Sequence, residues 1–167
     1  MASSRDVEDQ IVASIRRVIR AIDLQSKRLL DSHALTGPQL ATLREAHRMR
    51  APSTSALARA VHLSQPTVSG IVSRLERQGL VARERSADDR RTVVVSVTER
   101  GREVLGSAPS LLQDRFRAEL ERLAPWEQHW LLAALERIAA MMDAEDLEAA
   151  PILETGHVGP PADDEGL

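Results

Sequence analysis

The chain has 167 residues, of which 43% are hydrophobic and only 2% aromatic, so its core is built mainly from Leu, Val, Ile and Ala. Such a core favours packed helices over a β-sandwich. The chain contains no cysteine, which excludes a disulfide framework, a thiolate metal site and a cysteine-based redox switch. No segment resembles a signal peptide or a membrane span, and we therefore expect a cytoplasmic protein that does not contact membranes.

The formal net charge of −3 is distributed unevenly along the chain. Residues 48–102 contain eleven arginines and five acidic residues, a net charge of +6, whereas the remaining residues carry a net charge of −9. A basic segment inside an acidic chain is typical of a local phosphate-binding surface. The negative total charge alone would argue against a nucleic-acid partner, but the positive charge of residues 48–102 favours one.

Helical spacing of apolar residues predicts two helices at the start of the chain. A long first helix covers residues 6–31, with an apolar stripe at Val7, Ile11, Ile15, Val18, Ile22 and Leu29. The second helix begins near Pro38, a residue suited to the first turn of a helix. Its predicted buried stripe consists of Leu40, Leu43 and Ala46.

Two short helices joined by a tight turn follow in the sequence. The third helix is capped by Ser53 or Thr54, and both residues remain candidates for this cap. The fourth helix covers residues 65–78, because Ser64 is a suitable cap and Gly79 a suitable stop. Two short helices in this arrangement predict a helix-turn-helix.

A β-hairpin is predicted directly after the fourth helix. Residues 93–97 alternate at period two, and residues 80–85 supply the partner strand, with 86–91 as the connecting loop. A helix-turn-helix followed by a hairpin is the winged form of this motif. The predicted fold class is therefore mostly α-helical with a small β-hairpin wing.

The hairpin is followed by two further predicted helices. Thr98 caps the first, which runs towards Leu123 and is interrupted near Gly106 and Pro109. Pro125 opens the second. The predicted buried face of this last helix includes Leu131, Leu135, Ile138 and Met142.

The outward face of the fourth helix carries groups suited to DNA. Apolar residues form the inward stripe, at Val68, Ile71, Val72 and Leu75. The opposite face has no acid and carries Pro66, Thr67, Ser69, Gly70, Ser73, Arg74 and Arg77. Hydroxyl and guanidinium groups can bond base edges and phosphates, and the helix N-terminus at Ser64 and Gln65 favours a phosphate. An exposed helical glycine costs about 1 kcal/mol relative to alanine, which favours a close ligand over an ordinary solvated face.

The predicted hairpin loop is rich in charge. Arg85 ends the first strand, and Asp88, Asp89, Arg90 and Arg91 follow it. An arginine at a hairpin tip can enter the narrow minor groove, where negative potential is concentrated. We expect Asp89 to bond Arg91, or an arginine of the fourth helix, and so to leave Arg90 pointing outwards. The alternative is a solvated turn whose charges neutralise each other.

These segments resemble the MarR family of bacterial transcription regulators, most strongly over residues 53–101 and through the flanking helices over 6–142. The most specific parts are Thr67-Val68-Ser69 with Arg74-Leu75-Glu76, and Asp89-Arg90-Arg91 followed by Val97-Thr98 and Gly101. The resemblance implies a homodimer whose recognition helix reads the major groove of duplex DNA and whose wing arginine enters the minor groove. The stretch 141–153 is also similar to family members that control compatible-solute (ectoine) synthesis genes.

The two surfaces and the resemblance together give the candidate DNA-binding residues. These are Ser53, Ser55, Ser64, Gln65, Pro66, Thr67, Ser69, Gly70, Ser73, Arg74, Arg77, Arg85, Asp89, Arg90 and Arg91. In the family the first and the last two helices form the dimer interface. The implied organisation is an N-terminal dimerisation helix (1–34), a winged DNA-binding lobe (35–100), C-terminal dimerisation helices (101–145) and an acidic, flexible tail (146–167).

The resemblance also implies a pocket for a small-molecule effector between the dimer helices and the DNA-binding lobe. The candidate lining residues are His33, Leu40, Arg44 and His47. An effector would act by changing the spacing of the two lobes, since both half-sites of a pseudo-palindromic operator must be engaged together. We expect repression as the output, and no cofactor.

Two other classes of function compete with this hypothesis. A metal or small-molecule sensor with secondary DNA binding would use the histidines, but no pair among residues 33, 47, 62, 129 and 157 has helical i, i+4 spacing. An enzyme would carry a catalytic motif, and the chain has no nucleophile elbow, phosphate-binding loop, dinucleotide fingerprint or zinc-protease motif. We therefore expect no enzymatic activity, and interpret Trp126 and Trp130 as a packing pair.

Overall fold

The computed structural model describes residues 4–85, 93–144, 146–147 and 152–153. Within these ranges the chain forms seven helices and one antiparallel hairpin, in which Val81 lies opposite Val97 and Arg85 opposite Val93. The elements are α1 (Ser4–His33), α2 (Gly37–Met49), α3 (Thr54–Val61), α4 (Gln65–Arg77), β1 (Val81–Arg85), β2 (Val93–Val97), α5 (Glu99–Ser107), α6 (Leu112–Leu120) and α7 (Pro125–Met141). The predicted fold class, mostly helical with a small hairpin, is confirmed.

The short helices begin at the predicted capping residues. The backbone N–H of Ala56 donates to Ser53 Oγ at 3.2 Å, so that Ser53 and not Thr54 caps α3. Ser64 Oγ accepts from the N–H of Thr67 at 3.2 Å at the start of α4. After α4, Gly79 adopts a φ of 71°, a left-handed conformation that favours glycine and turns the chain into β1.

The segment after the hairpin differs from the prediction, because the single interrupted helix is two separate helices, α5 and α6. Ala108, between them, has extended backbone angles (φ −68°, ψ 136°). The residue before a proline is pushed out of the helical region by the proline ring, and Pro109 follows directly. The described part of the chain therefore contains seven helices where the sequence predicts six.

The core lies in the lobe formed by α2, α3, α4 and the hairpin. Its completely buried side chains are Leu35, Leu40, Leu43, Leu57, Val68, Val72, Leu75 and Val95, and Ile71 is nearly so. The inward stripe predicted for α4 is therefore confirmed. Val95 N–H also donates to Pro52 O at 2.9 Å, which ties the hairpin to the segment before α3.

The apolar stripes of α1 and α7 are largely uncovered within one chain. Leu29 at the end of α1 is buried, but Val7, Ile11 and Val18 are exposed. On α7 the predicted buried face is only partly covered within one chain, since Leu131 and Ile138 are half-buried whereas Leu135 is 60% and Met142 61% exposed. Leu29, near the C-terminal end of α1, belongs to the buried core of the lobe. No helix in the described ranges is long and apolar enough to cross a membrane.

Candidate nucleic-acid interface

The acid-free side of α4 forms an exposed ridge, which we define by Pro66, Thr67, Gly70, Arg74 and Arg77. All five are exposed to solvent. Neither guanidinium group forms a hydrogen bond or ion pair within the described residues. The ridge thus presents two exposed cationic side chains beside a glycine, a combination suited to contact with a polyanion such as DNA.

Gly70 sits in this ridge without any internal reason for being glycine. An ideal Cβ built on it would meet no other atom of the described chain within 4 Å, and its φ is not left-handed. Neither tight packing nor backbone geometry therefore explains the residue. The glycine leaves this position of the exposed ridge without a side chain.

The N-terminal turn of α4 adds a pair of coupled hydroxyls. Ser64 Oγ lies 2.7 Å from Thr67 Oγ1, in addition to accepting the cap hydrogen bond. Gln65 and Pro66, the first residues of the helix, are exposed beside them. Because the N-terminal end of a helix carries partial positive charge, this turn is suited to a phosphate oxygen.

Two predicted members of the surface, Ser69 and Ser73, face β1 instead of lying on the ridge. Both are half-buried, and Ser73 Oγ donates to Ser69 O at 3.0 Å. Arg83 of β1 donates to the same carbonyl oxygen at 3.2 Å and to Ser73 Oγ at 2.9 Å. Its guanidinium also lies 3.5 Å from Glu76 Oε2. Arg83 is absent from the predicted site, and the sequence signal for it is an arginine placed shortly after a helix whose last turn contains Glu76.

The remaining predicted positions lie around the hairpin. Ser53 and Ser55 are half-buried and their hydroxyls are 3.1 Å apart, while Ser53 also forms a β-bridge with Val94. Arg85 is exposed at the end of β1. The predicted positions Asp89, Arg90 and Arg91, with the expected Asp89 pairing, lie outside the described residues.

The four predicted effector-pocket residues are not brought together. Leu40 is completely buried in the core. Arg44 lines a cavity of about 140 Å³, where it donates to Asp114 Oδ2 at 2.7 Å and to Pro109 O at 2.8 Å. His47 lines a different and more open cavity, of about 460 Å³, and His33 Nε2 lies 3.3 Å from Ser107 Oγ.

One residue of the predicted flexible tail is buried. Ile152 is only 8% exposed and lines two cavities, one beside Arg44 and one beside Leu29. The sequence signal for this contact is an apolar pair, Ile152-Leu153, in an otherwise acidic segment. The tail thus contributes to the wall between α2 and α6.

The titratable side chains of the described residues give no sign of a metal site. Among those residues, no group of three or more His, Asp or Glu is placed to hold a metal ion. The one resolved perturbation is at Arg48, whose pKa is raised by a hydrogen bond from its guanidinium to Glu45 and by the charge of that carboxylate. This pair lies on α2, with Arg48 exposed and Glu45 half-buried.

Comparisons with known proteins match the same lobe. A model described as "MarR family" matches residues 35–93. The organic hydroperoxide resistance transcriptional regulator of Bacillus subtilis is 30% identical over 95 residues, which are 57% of this chain. The match spans 65% of the length of that relative, slightly less than two thirds.

Solved structures extend the likeness to the helices on both sides. The PcaV transcriptional regulator of Streptomyces coelicolor, solved in complex with its natural ligand, is 26% identical in sequence. Its superposition has a TM-score of 0.52 and covers 85% of this chain and 99% of that chain. MepR of S. aureus, solved in complex with DNA, is 22% identical in sequence. Its superposition has a TM-score of 0.55 and covers 78% of this chain and 96% of the MepR chain. The segment matched by the MarR family model runs from residue 35, just before α2, to the start of β2, and the chain folds as a winged helix-turn-helix.

Proposed function

We propose that the chain is a transcription regulator that binds double-stranded DNA through the α4 ridge and the hairpin. The observation that carries the proposal is the ridge itself, which has no acid, an unexplained Gly70 and two exposed arginines whose guanidinium groups have no partner among the described residues. α4 packs against β1, which places Arg85 on the neighbouring element. The relative from B. subtilis is a transcriptional regulator, and MepR has been solved with DNA, which agrees with this role.

The same proposal includes a homodimer. The exposed apolar residues of α1 and α7 would be covered by a second copy of the chain, as large exposed apolar patches generally mark interaction sites. A two-fold dimer presents two recognition helices about 34–36 Å apart, in successive major grooves. The expected operator is therefore pseudo-palindromic, and occupancy of a promoter by the dimer would repress transcription.

A small-molecule effector is the third part of the proposal. Arg44 joins α2 of the lobe to Pro109 and Asp114, at the connection between α5 and α6. A ligand that altered this junction would change the position of the lobe relative to the helices that follow it. PcaV, solved with its natural ligand, supports ligand control in a protein of similar fold. Control of compatible-solute genes stays a prediction.

The experiment combines selection of bound genomic fragments with gel-shift titration of two variants. Arg74→Ala and Arg90→Ala are each expected to weaken binding by roughly 5- to 100-fold, as the loss of a specific arginine contact to DNA does. Helicity measured by circular dichroism should not change. Arg48→Ala is the matched control, because it removes an arginine of the same lobe that already pairs with Glu45.

Unchanged affinity in both DNA-facing variants would contradict the proposal. So would the failure of the wild-type chain to enrich any genomic fragment. If the chain instead bound a metal or small molecule tightly and DNA only weakly at all sequences, the competing function, a sensor with secondary DNA binding, would be favoured.

A further inference from the structure

Arg83 links the hairpin to the recognition helix by side-chain bonds that cross from β1 to α4. Its three partners are Ser69 O, Ser73 Oγ and the carboxylate of Glu76, at 3.2, 2.9 and 3.5 Å. Residues 69, 73 and 76 are spaced i, i+4 and i+7, so they share one flank of the helix over two turns. A single guanidinium therefore spans the flank beside the ridge.

We propose that Arg83 is a positioning residue that fixes the angle between the hairpin and α4, and so allows both to engage DNA at the same time. The inference rests on the proposed function. Arg83 itself lies on the flank of α4 that faces β1, whereas the ridge residues lie on the outward side. It thus acts on DNA binding through the elements that it joins, without a base or phosphate contact of its own.

The bonding at Ser73 supports this division of roles. Its hydroxyl proton is donated to Ser69 O, and its oxygen accepts from Arg83. Because a hydroxyl has one proton, Ser73 has no donor left for a base edge. Ser73 therefore belongs to the group of residues that hold the Arg83 guanidinium (Ser69, Ser73 and Glu76), which we call its seat. Specificity in the major groove falls to the ridge residues Thr67, Arg74 and Arg77.

The chemistry of the seat requires arginine. Ser69 O and Ser73 Oγ both accept from Arg83 Nη2, and the Glu76 carboxylate lies beside Nη1. The partners thus engage two nitrogens of one planar group, an arrangement that the guanidinium fork matches. A lysine ammonium carries the same charge but is a single point at the end of a flexible stem, and it cannot hold all three partners in one geometry. The exchange of arginine for lysine therefore separates a positioning role from a purely electrostatic one.

A rigid link matters because helix and hairpin act as two connected binding modules. When the angle between them is fixed before binding, the second contact follows the first without a further ordering cost. Loss of the link lowers the effective concentration of the hairpin at the minor groove. We expect a loss of operator affinity of about tenfold, and no further loss once the hairpin contact is already absent.

The test measures affinity for one selected operator fragment in a set of full-length variants. Arg83→Lys and Arg83→Gln are both expected to weaken binding about tenfold. In an Arg90→Ala background, Arg83→Lys should change affinity by less than about twofold, because the hairpin contact that it positions is already lost. Arg48→Gln is the control for the loss of an ion-paired arginine from the same lobe.

The inference is overturned if Arg83→Lys keeps wild-type affinity, or if the losses from Arg83→Lys and Arg90→Ala multiply. Either result would mean that Arg83 contributes charge or a contact of its own. Should the Arg83 variants not fold, Ser73→Ala removes one acceptor of the seat, and its loss of affinity must likewise vanish in the Arg90→Ala background. Absence of any DNA binding by the wild-type chain would instead refute the proposed function.

Discussion

The substitution Gly70→Ala is expected to stabilise the protein and to weaken its binding to DNA. The new methyl group would meet no atom of the described chain within 4 Å, so no packing strain opposes it. Alanine in a helix interior is favoured over glycine by about 0.5–1 kcal/mol. For a chain of this length the melting temperature should rise by roughly 1–4 °C.

The effect on DNA has the opposite sign because the methyl group projects from the exposed ridge. If the backbone of α4 approaches the groove floor as closely as a bare glycine permits, the methyl group pushes the helix away. Overpacking of a close interface by one carbon costs about 1–3 kcal/mol, which corresponds to a loss of affinity of at least about fivefold. The two measurements are therefore thermal unfolding without DNA and gel-shift titration with an operator fragment.

A matched control is available on α5. Gly106 is also exposed, and its ideal Cβ also meets nothing within 4 Å. Gly106→Ala should therefore raise stability, by less because the residue lies near the helix end, and should leave DNA affinity unchanged. A Gly70→Ala protein that melts higher and binds as tightly as wild type would refute the close-approach reasoning. One that melts lower would refute the absence of packing strain.

Two further expectations concern the lobe and the helices around it. In Gly101→Ala the new Cβ would lie 2.2 Å from Leu80 O, a carbonyl that accepts a hydrogen bond from Thr98 N–H. We therefore expect the free energy of unfolding, measured in urea, to fall by about 3 kcal/mol. An unchanged unfolding midpoint would contradict the close contact. Leu135→Arg places a charge in the exposed apolar stripe of α7 and should convert a dimer into monomers in light scattering. A wild-type monomer, or a variant that stays dimeric, would count against the proposed interface.

The sequence predicted those features of the lobe that depend on neighbours along the chain. The inward stripe of α4 follows from helical spacing, and the stripe is buried. Caps at Ser53, Ser64 and Thr98 depend on bonds to an N–H three residues away, and all three bonds are present. Local chemistry of this kind can be read from a single sequence because both partners lie in the same window.

Contacts between distant residues could not be predicted in the same way. Arg44 pairs with Asp114, 70 positions later, and this pairing places it in a different cavity from His47. Arg83 and Ser73 are only ten positions apart, but a helix end, a left-handed glycine and a strand start intervene. The direction of a side chain after such a turn depends on backbone geometry, which residue identity alone does not specify.

The apolar stripe on α7 shows a different limit of what a single sequence can predict. Helical periodicity indicates that a face will be covered, but it does not say whether the same chain covers it. Trp126 and Trp130, 71% and 66% exposed, lie at the start of the same helix and lack the internal packing that we expected for them. Burial of one large apolar side chain contributes about 1.5–3 kcal/mol of stabilisation. The exposed apolar residues of α1 and α7 together would therefore gain a large free energy if another surface covered them. In the proposed dimer the lobe is stabilised within each chain, whereas α1 and α7 are stabilised between chains, so the spacing of the two lobes depends on the weaker junctions that join these parts.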